Sequence, residues 1–278
     1  MRKIILLSTT AIIVVSFVAY YACSGQVRQV VVNDNIRNSG GAVSLDLVDH
    51  SAWDRLLQKY VDQDGMVDYD KWKASEADLQ SLQQYLATLS ATDANAQTTK
   101  EGKLAYWINA YNALTVHGIL DEYPTSSIRN HTAKLIGYNI WDDLLLPVGD
   151  NEYSLNQIEH EILRKQGEPR IHFAIVCASI GCPRLLNRAY EPDTIESQLS
   201  ENTRDFFARR KNFQADVANR EIRVSSILDW FSEDFGSTPQ RGLAGLAEYM
   251  PDEATQSLVA SEDFSVSHLD YSWSLNKQ

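Results

Sequence analysis

The chain has 278 residues, 44% hydrophobic and 22% charged, the profile of a folded globular protein with a sizeable core. Disorder, collagen and a multi-span membrane protein are excluded. Its 37 acidic against 25 basic residues leave a formal charge of −12, a field that repels phosphate backbones, and no basic patch interrupts it. Nucleic acid is therefore not an expected partner.

Met1, Arg2 and Lys3 make a basic start, and Ile4 to Ala22 carries no charge. This pattern predicts a signal peptide or a single membrane anchor over residues 1–22. Ala22-Cys23-Ser24 places a small residue before a cysteine, as in a bacterial lipoprotein signal where Cys23 would be lipidated; Tyr20 and Tyr21 depart from that pattern. Lipoprotein, uncleaved anchor and plain secretion all put the domain outside the cytoplasm, on the periplasmic or cell-envelope side. The expected partner is thus the membrane, reached through the N-terminus. Residues 23–50 read as a polar tether, although Val27 to Val32 could form a short strand.

Folded structure is expected over 51–276. Ser51 can cap a helix whose Trp53, Leu56, Leu57, Tyr60 and Val61 share one apolar face. It stops at Asp64-Gly65, and Met66 to Tyr69 reads as a brief strand. A second helix carries Leu79, Leu82, Tyr85, Leu86 and Leu89, and a long one runs from about Thr99 to Glu122 with one buried side. Ser154 and Gln157 form a capping-box pattern ahead of a helix to about Lys165. Ile171 to Val176, a continuous apolar run, reads as a buried strand. A helix through Phe207 follows, then a hairpin of Phe213–Val217 and Glu221–Val224. Ser225 to Phe235 and Gly242 to Met250 read as helical, and Phe264 to Leu269 as a late strand. The order predicts a single α+β domain, helices packed around a small central sheet.

Three segments stand out: Tyr106 to Thr115 (YWINAYNALT), His172 to Pro183 with Cys177 and Cys182, and Trp273-Ser274-Leu275-Asn276. Ile158-Glu159-His160 through Arg164, Asp64-Gly65 with Val67-Asp68-Tyr69, and Trp230-Phe231 with Asp234-Phe235 accompany them. Together they resemble the domain of unknown function 547 family over most of residues 51–276. The resemblance implies no agreed reaction; it implies that the first cysteine is the more characteristic of the two.

Asn109 and Asn112 lie three apart on one helix face. If buried, their amides either tie the helix to a neighbouring loop or orient a substrate as oxyanion donors. Cys177 enters a small-residue loop, where it could be an inert buried thiol, a nucleophile, or half of a disulfide with Cys182. As a base, His160 is favoured over His172, because strand alternation would send His172 to the face opposite Cys177. Spacings among His172, Cys177 and Cys182 are not those of a metal site, and no nucleotide-binding or serine-hydrolase motif occurs, so no cofactor or metal is expected. Two readings remain open. One is a membrane-held binding or assembly module of unassigned activity. The other is a thiol-dependent hydrolase or acyltransferase using Cys177, a histidine base and the Asn109 or Asn112 amide.

Overall fold

The computed structural model describes residues 27–30, 43–133 and 137–278; the apolar N-terminal run and Cys23 lie outside them. Among the described residues no helix is long and apolar enough to cross a membrane.

The body is built round the long helix. Helix α1 (Ser51–Tyr60) buries Trp53, Leu56, Leu57 and Tyr60 as their spacing predicts, although it starts at Ser51 rather than being capped by it. After a short helix at Tyr69–Lys73 comes α2 (Glu76–Ser90), whose N-cap Ser75 accepts from the Asp78 amide. Helix α3 (Lys100–Glu122) is capped by Thr99, which accepts from Gly102 N at 3.0 Å. Its burial is not one-sided: all but one of the residues from Leu104 to Leu120 are buried. A helix apolar on most sides needs neighbours on most sides, and α3 is packed by α2, by the helix α4 (Ile195–Ala208) and by the segment around Ile158.

Among the described residues two small three-stranded sheets lie beside these helices. In the first, β1 (Arg28–Gln29) runs parallel to β2 (Leu144–Val148), which pairs antiparallel with β3 (Asn151–Ser154). In the second, β4 (Phe213–Asp216) and β5 (Glu221–Ser225) form the expected hairpin, and β6 (Ser265–Leu269) runs parallel to β5. The β2–β3 hairpin and the helix α5 (Glu253–Ala260) escaped the periodicity reading. Val30, Leu45 and Val48 are buried in the main core, so the folded body includes residues before Ser51. The architecture is α+β.

The expected strand at Ile171–Val176 is a correction. Glu168 caps a 3-10 helix over Pro169–Phe173, accepting from Arg170 N, and Pro169 supplies the fixed φ that opens it. Ala174 to Val176 then runs without a strand partner. A continuous apolar run marks burial without fixing conformation.

Two hydrophobic cores result. The larger surrounds α3; the smaller gathers Phe173, Phe206, Phe207 and Phe213 with the second sheet. Tyr271 packs against both. A cleft lies at this seam.

Candidate functional site

The α3 amides fix the loop that carries the cysteines. Asn112 Nδ2 donates to Ala174 O at 3.0 Å, and its Oδ1 accepts from Val176 N at 2.9 Å. A side-chain amide thus takes the part of the missing strand partner. Asn109 repeats the arrangement on Tyr190, donating to its carbonyl at 2.7 Å and accepting from its N–H at 2.9 Å. Both residues are buried, and neither is among those lining the cleft.

Beyond Val176 the chain turns through Ala178, whose φ of 55° lies in the left-handed region that a side chain disfavours. This turn brings Cys182 back onto Cys177. The two are free cysteines with sulfurs 2.6 Å apart. Ser179 Oγ lies 3.2 Å from the Cys177 sulfur and 3.3 Å from that of Cys182. Tyr271 Oη lies 3.3 Å and 3.1 Å from the same two atoms, and 2.9 Å from Ser179 Oγ. Four polar atoms are therefore in mutual contact. Cys177 N–H adds a donor to the Cys182 sulfur at 3.1 Å.

The cluster separates the two thiols. Burial works to raise the pKa of Cys182, but hydrogen bonds from Cys177, Ser179 and Tyr271 outweigh it and bring the thiol down to about 6. Its hydrogen bond to Cys182, together with burial, pushes Cys177 well above the ordinary thiol value. The pair thus titrates as one unit that holds a single shared proton near neutrality. Cys177 is the more exposed residue of the two.

The C-terminal segment braces this loop. Ile180 N–H donates to Ser274 O and Gly181 N–H to Ser272 O, both at 2.8 Å, and Asn276 N–H donates to Ala178 O at 3.1 Å. Asn276 also accepts from Tyr69 Oη at 3.0 Å, and its carbonyl accepts from Val67 N at 2.8 Å. The separated Asp64–Tyr69, Cys177–Cys182 and Trp273–Asn276 motifs are one contact in space.

The cleft over the sulfurs has a volume of about 180 Å³ and is walled by Trp141, Trp230, Phe231, Tyr271 and Trp273. Trp230 stacks on Trp273 with ring centroids 5.7 Å apart. His160, His172, Glu159 and Tyr111 line the same cleft. The expectation that His172 faces away from Cys177 is therefore corrected, since it rested on a strand that does not form. His172 is buried, stacks on Phe231 at 4.1 Å and has Nε2 2.7 Å from Asp234 Oδ2. Burial brings its pKa down to about 4 despite that carboxylate, so the neutral ring donates Nε2–H to Asp234 near neutral pH. Asp234 is also held by the Arg164 guanidinium through contacts of 2.6 and 2.9 Å.

His160 sits exposed at the rim, on a π-helical stretch over Ile158–Leu163 that follows the Ser154 capping box. Such stretches concentrate at functional sites. Its Nδ1 accepts from Arg164 Nη1 at 3.1 Å, and burial, with Arg164 adding to it, lowers its pKa. Among the described residues no hydrogen bond joins either sulfur to a histidine. Glu159, on the same cleft, shifts in the opposite sense: it is only 9% exposed, accepts from Tyr111 Oη at 3.2 Å, and is raised to about 7 by burial.

Glu159, Tyr271, Asp234, Arg164 and Ser179 were not singled out as site residues from the sequence. Glu159 had a signal: it stands four residues after Leu155, on the buried face of the helix that the capping box announces. Tyr271 had only its closeness to the Trp273 motif. No group of three or more potential metal ligands occurs among the described residues.

Residues 95–207 match the model of the family described as protein of unknown function, DUF547. The matched stretch holds Asn109, Asn112, His160, His172 and both cysteines, and supports the resemblance read from those segments. It ends before Trp230, Asp234, Tyr271 and Trp273. No curated protein and no solved structure matches the chain.

Proposed function

We propose that the domain is a thiol–disulfide exchange catalyst held outside the cytoplasm by its N-terminus. The observation that carries the reading is the Cys177–Cys182 pair, in contact at 2.6 Å at the base of an open aromatic cleft. Cys177, the more exposed residue of the pair, passes its proton to the Cys182 thiolate and attacks one sulfur of a substrate disulfide. The substrate S–S bond breaks, a mixed disulfide forms at Cys177, and the leaving thiolate takes up a proton. Cys182, after losing its proton to solvent through the cleft, then attacks the Cys177 sulfur and expels the second substrate thiol. Two protein thiols are oxidised and one substrate disulfide is reduced to two thiols; the reverse sequence oxidises a substrate dithiol. Tyr271 and Ser179 hydroxyls donate to whichever of the two sulfurs is a thiolate.

A second reading, acyl transfer or hydrolysis with Cys177 alone as nucleophile, is favoured by the histidines and Glu159 that share the cleft. The two separate cleanly. In the exchange reading, Cys177→Ser and Cys182→Ser both abolish turnover of a small disulfide, and Cys182→Ser accumulates a mixed disulfide at Cys177 visible by mass. Thioester or ester turnover that survives Cys182→Ser but not Cys177→Ser would shift the assignment to acyl transfer. Thiols inert to both substrate types would leave a binding or assembly module.

Tethering rests on Arg2, Lys3, the uncharged run to Ala22 and Cys23. Cell fractionation is expected to place the protein in the membrane pellet and Cys23→Ala to release it. Wild-type protein recovered from the cytoplasm overturns the tether.

A further inference from the structure

The cleft has a lopsided charge. The nearby guanidinium of Arg164 does not line it and is spent on both oxygens of Asp234. Its two histidines have lowered basicity and stand neutral near neutral pH. Glu159, by contrast, is nine-tenths buried and lines the cleft with one oxygen on the Tyr111 hydroxyl and the other without a hydrogen-bond partner among the described residues. A groove that shares Asn156 and His160 with the cleft is lined by Asp142, Glu152 and Glu161. A cation entering from that side meets acids and then a carboxyl with a vacant acceptor.

The walls suit the same charge. Indole and phenol faces attract cations through their quadrupoles, most strongly where water is excluded. Two guanidinium groups already use this cluster's rings: Arg129 lies 5.3 Å from the Trp273 centroid and Arg164 5.4 Å from that of Phe231. An anionic substrate would instead face Glu159, the acidic groove and the charge on the cysteine pair, with no free cation lining the cleft among the described residues. A volume of about 180 Å³ limits the occupant to a small molecule or one side chain.

We propose that the cleft takes a small thiol or disulfide bearing an ammonium group, its cationic end between the indole walls and Glu159 and its sulfur against Cys177. The cation preference follows from the cleft alone; the sulfur end rests on the exchange reading above. The two are tested apart. Tryptophan fluorescence of the full chain is titrated with benzylammonium and with benzyl alcohol, which share ring and size. At pH 8, above the value of about 7 to which burial raises Glu159, benzylammonium is expected to bind roughly tenfold or more tightly, from the cation–π and carboxylate attraction together. Added salt, Asp142→Asn at the rim and Glu159→Gln at the base each narrow the gap. Equal affinity for the two compounds overturns the proposal. Exchange is then followed with cystamine against the neutral bis-hydroxyethyl disulfide. Faster reaction of cystamine supports the whole assignment. Equal rates overturn the ammonium-bearing substrate and leave thiol exchange standing, whereas ammonium-selective binding without reaction of either disulfide removes the exchange reading and keeps the cation site.

Discussion

Burial acts in opposite senses on two titrating side chains of the cleft. Glu159 is raised to about 7, so its neutral form is the one the fold prefers. Its contribution to stability is fully present below the unfolded value near 4.5 and is lost as pH rises through about 7. His172, lowered to about 4, contributes stability that is present above its unfolded value near 6.5 and lost as pH falls through 4. Between these limits the two slopes offset one another. Removing one should expose the other. Glu159→Gln is expected to gain stability relative to wild type between about pH 4.5 and 8, by on the order of 3 kcal/mol at most. Urea unfolding of both proteins across that range measures it, because other groups cancel in the difference. A difference that does not change with pH would show that Glu159 titrates normally. Of these residues, the sequence made His172 legible because its histidine stands in an apolar run. Glu159 was masked by its charge, which composition assigns to the surface.

At the scale of elements, the signals carried by neighbouring residues were the most legible, although Ser51 opens its helix without capping it. Ser154 with Gln157 and the spacing in α1 announce what forms, because each depends on residues within one or two turns. Ile171–Val176 was misread for the opposite reason: its backbone is satisfied by Asn112, more than 60 residues away in sequence. The thiol loop shows the same dependence on distant contacts. A Cβ on Gly181 would lie 2.8 Å from three atoms of the Tyr271 ring, and that ring carries the hydroxyl shared by both sulfurs. Gly181→Ala must push Tyr271 aside, at an overpacking cost of about 1–3 kcal/mol. The hydroxyl then leaves the cluster and Cys182 loses a donor, so the first thiol pKa should climb from about 6 toward the free value of roughly 8.5. Tyr271→Phe should raise it likewise without the steric cost. Iodoacetamide alkylation rates against pH read the shift; an unmoved midpoint in both variants would remove Tyr271 from the thiol chemistry.

Across the whole molecule, the site belongs to neither core alone. Cys177 and Cys182 ride on the α3 side, Phe231 and Ile227 come from the smaller core, and the C-terminal segment closes the seam. The motifs were visible in the chain, but not that they meet, since that requires knowing which backbone groups pair across some 200 residues. Asn276 is the knot. Its main chain pairs with Ala178 and Val67, and its side chain joins the Tyr69 hydroxyl to the Gly65 carbonyl, the latter at 3.3 Å. It does not line the cleft. Asn276→Ala leaves the buried Tyr69 hydroxyl without its acceptor and should cost about 2–4 kcal/mol, as two buried polar groups lose partners. If the tail positions the thiol loop, the damage should travel. Hydrogen exchange at Ile180 and Gly181 should quicken and the alkylation midpoint should move, although no atom of the cleft is changed. A variant that is less stable but keeps both the wild-type midpoint and the slow exchange at these amides would show that the tail holds the fold together without setting the chemistry of Cys177 and Cys182.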